Sequence, residues 1–402
     1  MKKQFFILAA CAAALLSCNK EGKVDDPVVV VGEGKKVEVT VTVTGSSATK
    51  AMGANTGMAS EDSTDGKVTS VQVFAFDGEG NFAGYGRSSR ISTLVETTAG
   101  ERTFWAIVNV DKDIFTELAK IDAEGNVTLP QSDIESYLTT LDGNALDKLV
   151  MTGSATETVA DGGRLSISVR RTVARVQLNN IMTTFRGERE GYYLKIKHIY
   201  LINVAGDAPV DISYKGQDYS WKAPTAWVNK LSHEDAAYDE LLADDLVSRD
   251  VIVKNNVYEK AGVVVPEDAA YADDITLELA DGVTRVANNS YGNIHAYYPY
   301  PNPHPGVTGF EQTFSPTWAP RGTLLVLEVS VFDSADTELV KTGYYPIALP
   351  TLERNKVYTI GKLAISKMPT DVPYKPIDTD EAMVTITVDD WELGELVDVH
   401  KI

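Results

Sequence analysis

The chain has little of what enzymes and metalloproteins use. Of 402 residues only two are cysteine. Cys11 lies inside an N-terminal apolar run, and Cys18 follows it, so the body has neither a thiol nucleophile nor an intramolecular disulfide. An exported chain without disulfides needs a large core, and roughly 350 residues supply one, in two domains more readily than one. The five histidines (His198, His233, His295, His304 and His400) show no metal-ligand spacing. There is no Gly-x-Ser-x-Gly elbow and no phosphate loop. Scattered carboxylates leave a glycosidase-like pair open in principle, but the reading is of a non-enzyme without cofactor or metal. Asp77-Gly78-Glu79-Gly80-Asn81 lacks the length and terminal Glu of a calcium hand and reads as a hairpin turn. Basic residues are scarce too: the formal net charge is −20. Residues 1–50 hold seven of the basic and five of the acidic residues, so the rest is more acidic still. That excludes a nucleic-acid partner, whose phosphates need Lys and Arg. The Phe5–Leu16 run falls short of the ~20 residues of a membrane span.

What is present begins with an export signal. Lys2 and Lys3 precede the apolar run, and residues 1–17 read as a signal peptide. Leu15-Leu16-Ser17-Cys18 resembles a bacterial lipobox, which implies cleavage before Cys18 and lipidation of it, so that outer-membrane lipid is a partner. The alternative is an ordinary signal peptide with a chance cysteine. Residues 19–35 read as a polar tether.

Two segments share one pattern. Val37, Val39, Val41 and Val43 alternate with polar residues near the start, and Val384, Ile386 and Val388 do so near the end. Side chains alternate across a strand, so each segment has one apolar face and suits the same kind of groove. Lys50 is the sole basic residue between Val37 and Gly66. A protease that cuts after basic residues would therefore detach the first strand between Lys50 and Ala51. Further strands are expected at Val68–Phe76 (both faces buried), Arg102–Val110, Arg164–Val169, Val173–Leu178, Tyr192–Val204, Thr323–Phe332, Tyr344–Leu349, Lys356–Ile365 and Met383–Val388. Helices are expected at Ile114–Ile121, at Ser132–Leu141 with Ser132 and Glu135 as a capping box, and at Glu234–Val247. The prolines at 369, 373 and 376 mark a linker, and the polar stretch 179–191 places the domain boundary at 187/188.

Several segments together resemble the fimbrillin family of Bacteroidia, the type V pilins. They are Val71–Phe76, Phe104–Asn109, Met151–Gly153, Val169–Val176, Leu352–Tyr358 and Val384–Trp391. The resemblance implies a mainly β protein: two tandem transthyretin-like β-sandwich domains with a few short helices, at 51–187 and 188–402. It also implies that 18–50 is a lipidated propeptide whose strand is removed by a processing protease after Lys50. The emptied groove then takes the strand of a neighbouring subunit, with Val384, Ile386 and Val388 as the donor. The expected function is a structural, stalk-type subunit of a cell-surface fimbrium. Its partners are copies of itself, other fimbrial subunits and host or bacterial surface ligands. Other readings stay open. Lys50 is then an ordinary loop lysine, or the last strand pairs only within its own domain. The chain is then a tip or anchor subunit, or a glycan-binding lipoprotein presenting Trp221, Trp227 and Trp318.

Overall fold

A computed structural model describes residues 34–45, 66–123, 126–141, 148–178, 181–183, 185–190, 192–211, 226–228, 277–280, 283–286, 295–304, 322–333, 339–373, 382–390 and 397–398. The protein is mainly β. The first half contains β1 (Lys36–Gly45), β2 (Lys67–Val68), β3 (Val71–Phe76), β4 (Phe82–Ser88), β5 (Ser92–Thr98), β6 (Gly100–Val108), α1 (Ile114–Leu118), β7 (Lys120–Ile121), β8 (Val127–Thr128), α2 (Gln131–Glu135), β9 (Leu138–Thr140), β10 (Met151–Val159) and β11 (Gly163–Arg171). The second half contains β12 (Arg175–Leu178), β13 (Ile181–Thr183), β14 (Tyr193–Ile202), β15 (Val204–Ala205), β16 (Asp207–Pro209), β17 (Trp227–Val228), β18 (Leu277–Ala280), β19 (Val283–Val286), β20 (His295–Tyr297), β21 (Leu324–Phe332), β22 (Leu339–Ala348), β23 (Lys356–Ile365), β24 (Ala382–Asp390) and β25 (Val397–Asp398).

One seven-stranded sheet runs β4-β3-β6-β10-β11-β1-β5. It folds over into two layers where β10 and β11 part. They pair only at Met151↔Arg171 and Thr152↔Arg170, and a side chain at Gly153 would already overlap the Ser168 carbonyl. β4, β3, β6 and β10 form one layer, and β11, β1 and β5 form the other. Strand alternation fills the space between them: Val71, Val73 and Ala75 point inward to meet Phe104, Ile167 and the β1 valines. Phe74 and Phe76 point outward and are buried beneath Ile114, Phe115 and Ile134 of the two helices. Both faces of β3 are thus buried, as the apolar run Val73–Phe76 suggests. Gln72 is a buried polar residue with its bonds made. Its amide donates to the Lys112 carbonyl at 2.7 Å and its Oε1 accepts from Ile114 N at 2.9 Å, which fixes the start of α1.

A second seven-strand path, β18-β19-β13-β23-β12-β20, with β24 on β23, shares a core with the sheet β14-β21-β22. Sheet membership changes before residue 187, since β12 and β13 lie parallel to β23. The chain then returns, because β16 pairs with β9 and Val210 packs under Phe74 and Trp105. Arg354 and Asn355 lock this junction. The Arg354 guanidinium donates to the Arg170 carbonyl at 2.8 Å, to Thr152 Oγ1 at 2.7 Å and to the Arg171 carbonyl at 3.1 Å. Burial, and then the charge of Arg170, pull its pKa down to about 10, against the opposite pull of Asp211. Asn355, at φ 56°, donates its N–H to the Val173 carbonyl at 2.9 Å.

Two helix expectations need correction. The second helix is short, Gln131–Glu135, with Pro130 at its N-cap and no side-chain cap bond. Glu135 instead accepts from Gln131 Nε2 at 2.6 Å, and Leu138–Thr140 is a strand held by β16. The first helix ends at Leu118, because Lys120–Ile121 pairs with Val127–Thr128. The expected helix at Glu234–Val247 lies outside the described residues.

Candidate functional site

The feature that stands out is the seat of β1. It lies between two strands, β5 and β11, neither of which is next to it in chain order. It runs parallel to β11, from Val39↔Gly163 to Gly45↔Val169. It runs antiparallel to β5, from Lys36↔Thr98 to Thr42↔Ser92. Beyond the ladders, Val43 N–H donates to the Ile91 carbonyl at 2.9 Å and Gly162 N–H to the Glu38 carbonyl at 3.0 Å. On the polar face Thr42 Oγ1 and Ser92 Oγ share a hydrogen bond of 2.9 Å.

The apolar face is fully used. Val37, Val39, Val41 and Val43 are 2%, 0%, 0% and 1% exposed, packed with Val71, Val73, Val95, Phe104, Leu165 and Ile167. Without β1, the facing edges of β5 and β11 would lose their partners, and an apolar trough would open behind them. Burying four valines is worth roughly 6–12 kcal/mol gross at about 1.5–3 kcal/mol each. An unpaired pair of edges over such a trough is a template for another strand.

The trough wall formed by β5 is braced from behind. A Cβ at Gly84 would overlap the Glu96 carbonyl, and one at Gly86 the Leu94 carbonyl. Only glycine lets β4 come this close, so β5 is held in place without sharing a ladder with β4.

At the other end of the chain β24 is an edge strand. It pairs antiparallel with β23, from Lys356↔Asp390 to Ile365↔Ala382, with a bulge at Ile360/Lys362. Val384 and Ile386 are half-buried against the second core, and Val388 is 47% exposed. The same alternating pattern is therefore fully buried in β1 and loosely seated in β24. The expected linker starts pinned: Thr370 exchanges two hydrogen bonds of 2.8 and 2.9 Å with Tyr344. The tail ends with β25 parallel to β2 at Lys67↔Val397 and Val68↔Asp398.

Cys18, Lys50 and Ala51 lie outside the described residues, as do Trp221 and Trp318. Trp227 lies in β17, paired with Ala205. Among the described residues no group of three or more His, Cys, Asp or Glu is arranged to hold a metal ion. His304 sits in the Tyr/Pro loop, where burial lowers its pKa. The Asp77 turn is closed on itself, with Oδ1 accepting from Glu79 N and Asn81 N, both at 2.9 Å.

Of the two walls of the seat the sequence marks β11, as the expected strand Arg164–Val169, but not β5 or the β4 strand behind it. β5 was hidden because Leu94 points outward, 37% exposed, while Thr93 and Thr97 point in among the buried residues. Its signal was the density of β-branched residues, Thr93, Val95, Thr97 and Thr98. β4 was hidden by its two glycines.

No protein-family model matches the chain, and no curated protein matches it. Solved structures do. A candidate cell adhesion protein from Parabacteroides distasonis ATCC 8503 superposes with a TM-score of 0.54 at 16% identity, over 90% of this chain and 100% of that one. One from Bacteroides eggerthii DSM 20697 gives 0.53 at 14% identity, over 89% and 97%. A fimbrilin (FimA) from Porphyromonas gingivalis W83 gives 0.52 at 16% identity, over 89% and 98%. Along nearly its whole length, the chain has the fold of this fimbrilin and of these cell-adhesion candidates.

Proposed function

We propose that the chain is a structural, non-enzymatic subunit of a cell-surface fimbrium, of stalk type, exported as a lipoprotein on Cys18 and polymerised by strand exchange. The observation that carries this reading is the seat of β1. A strand with four fully buried valines sits between β5 and β11 and precedes the only basic residue before the next strand, Lys50. Cutting between Lys50 and Ala51 frees β1 from the body covalently and leaves a trough that favours a replacement. Strand addition supplies main-chain hydrogen bonds for affinity and alternate side-chain pockets for specificity.

β24 fits the role of replacement in pattern and in direction. β23 leaves the Arg354 junction at Lys356 and ends at Ile365, so β24 starts, at Ala382, at the end of the second sheet remote from the first sandwich. β1 likewise starts at the end of its sandwich remote from the junction, since Gly45 pairs with Val169 near the junction. The residues between Pro373 and Ala382 span roughly 26–29 Å when extended. A released β24 would then enter the trough of the next subunit from the Lys36 end and run in the direction of β1. Val384, Ile386 and Val388 would take the inward places of the β1 valines. Such a contact is heterologous and builds a filament. The fold shared with a fimbrilin supports the same reading. In the pattern of a tip subunit the tail would be unusable, and in an anchor Cys18 would be retained.

Mass spectrometry of polymer sheared from cells tests this. The proposal expects subunits that begin at Ala51. Polymer whose subunits keep a lipidated Cys18 would overturn it.

A further inference from the structure

The two ends of the molecule differ in charge, and processing changes one of them. At the end of the second sheet remote from the junction, the turn Gly187–Arg189 after β13 meets the residues that follow β23. They enclose a cleft of about 560 Å³ lined by Arg186, Glu188, Arg189, Ser366 and Lys367. Three cations against one acid form a basic spot on a chain of net charge −20. Arg186, Glu188, Arg189 and Lys367 are all exposed, so their field reaches into solvent.

The opposite end of the molecule is where β1 starts. Glu101, Glu157 and Asp161 are exposed there, beside the pairs Val159↔Gly100 and Val39↔Gly163. In the uncut chain this end also carries the exposed Lys35 and Lys36, and the Asp161 carboxylate accepts from Glu38 N–H at 3.4 Å. Loss of β1 removes both lysines together with the exposed Glu38, a net loss of one positive charge, and releases Asp161 from its bond to Glu38 N–H. Arg102, half-buried and opposite Glu157, bonds to the neutral Thr98 Oγ1 and Ala99 carbonyl and keeps its charge, so Arg102 and Arg164 stand against the three acids.

We propose that the cleft of Arg186, Arg189 and Lys367 docks a second copy of this chain by the acidic end of its first sandwich, Glu101, Glu157 and Asp161, after that copy has lost β1. The inference rests on the filament reading above and adds a recognition step to it. The cleft lies at the foot of β24, where a departing donor strand begins. The acidic end lies at the mouth of the trough that the strand must enter. Opposite charge at these two places would align subunits before the slow threading of a strand. Complementary fields of this kind act mainly on encounter rate and partner choice.

The test is elongation of the full chain, purified from membranes and cut with a basic-residue-specific protease, followed by light scattering. The variants are R186E/R189E, E101K/E157K and the chain carrying all four changes. Salt is set at about 10 mM and about 1 M, where screening lengths are about 30 and 3 Å. Each double variant is expected to elongate about tenfold more slowly than wild type at low salt and at the wild-type rate at high salt. The fourfold variant is expected to recover, because reversing both ends restores attraction. Equal rates at low salt, or no recovery, would overturn the proposal. So would a loss of dextran sulfate binding in R186E/R189E without a change in elongation, which would make the cleft a site for acidic polysaccharide. If cut wild type forms no polymer at all, the filament reading itself fails and this inference falls with it.

Discussion

Substitution of Val41 would separate the two proposed occupants of the groove, β1 and its replacement. Its side chain is 0% exposed, at the centre of β1, opposite Leu165 on one side and Thr93 on the other. Val41→Ala deletes two methyl groups, worth about 1.6 kcal/mol in transfer at ~0.8 kcal/mol per group. The cavity left in a wall of Val73, Phe104 and Ile167 raises the cost to about 2–3 kcal/mol. The uncut chain should lose that much stability, read from its urea midpoint at unchanged slope, and should be cut faster at Lys50 because β1 detaches more readily. Under the proposed strand exchange, polymer made from the cut variant should melt as wild type does, because β1 would no longer be part of it. A polymer weakened as much as the uncut chain would show that β1 stays in place. An uncut chain that loses nothing would show that β1 does not hold the sandwich closed.

Other outcomes follow from the same geometry. Ile386→Asp should leave the uncut chain folded by circular dichroism, since β24 is a half-buried edge, but cut polymer yield by at least about tenfold, because a buried carboxylate in the trough is costly. Gly84→Val should lower the melting temperature of the uncut chain by several degrees, since its Cβ overlaps the Glu96 carbonyl and overpacking typically costs about 1–3 kcal/mol. Arg354→Met should destabilise the chain by about 3 kcal/mol in denaturant titration, because the carbonyls of Arg170 and Arg171 and Thr152 Oγ1 lose their shared donor. Burial, and then the charge and hydrogen bond of Glu117, push the Tyr137 pKa up to about 12. A raised folded-state pKa gives stability that is full below the unfolded value near 10 and is lost as pH climbs towards 12. Tyr137→Phe should flatten that part of the alkaline stability profile.

Much of this architecture is legible in the chain because strand alternation is a local signal. β1, β3 and β23 follow directly from their patterns, and the apolar–polar alternation of β1 marks the face that the structure buries. Partnership is not local. Nothing in Val37–Val43 says that its neighbours are β5 and β11, whose ladder partners lie 50 to 62 and 124 residues away. Val68–Phe76 reads as one strand, yet Asn109 breaks it: its Oδ1 accepts from Thr69 N at 2.8 Å and its Nδ2 donates to the Lys67 carbonyl at 2.8 Å. The Ser132/Glu135 pattern suits a capping box, but Pro130 starts the helix earlier and β16 claims the residues after it. Gly84 and Gly86 weaken the strand signal of β4 for the reason that makes them useful, the close approach to β5. The coupling of the halves through Arg354 and Asn355 depends on carbonyls nearly two hundred residues away, which no spacing rule reports.

The central claim is that β24 of one subunit replaces β1 of the next and runs in its direction. A photo-crosslinker at position 388, a site 47% exposed in the monomer and so tolerant of a probe, tests it directly in cut polymer. The account predicts intersubunit cross-links to Leu165–Val169 of β11, the partners of the Val41 and Val43 places, located by mass spectrometry. Cross-links confined to the subunit's own β23, or to the neighbouring chain at Gly163 and the residues before it, would contradict it.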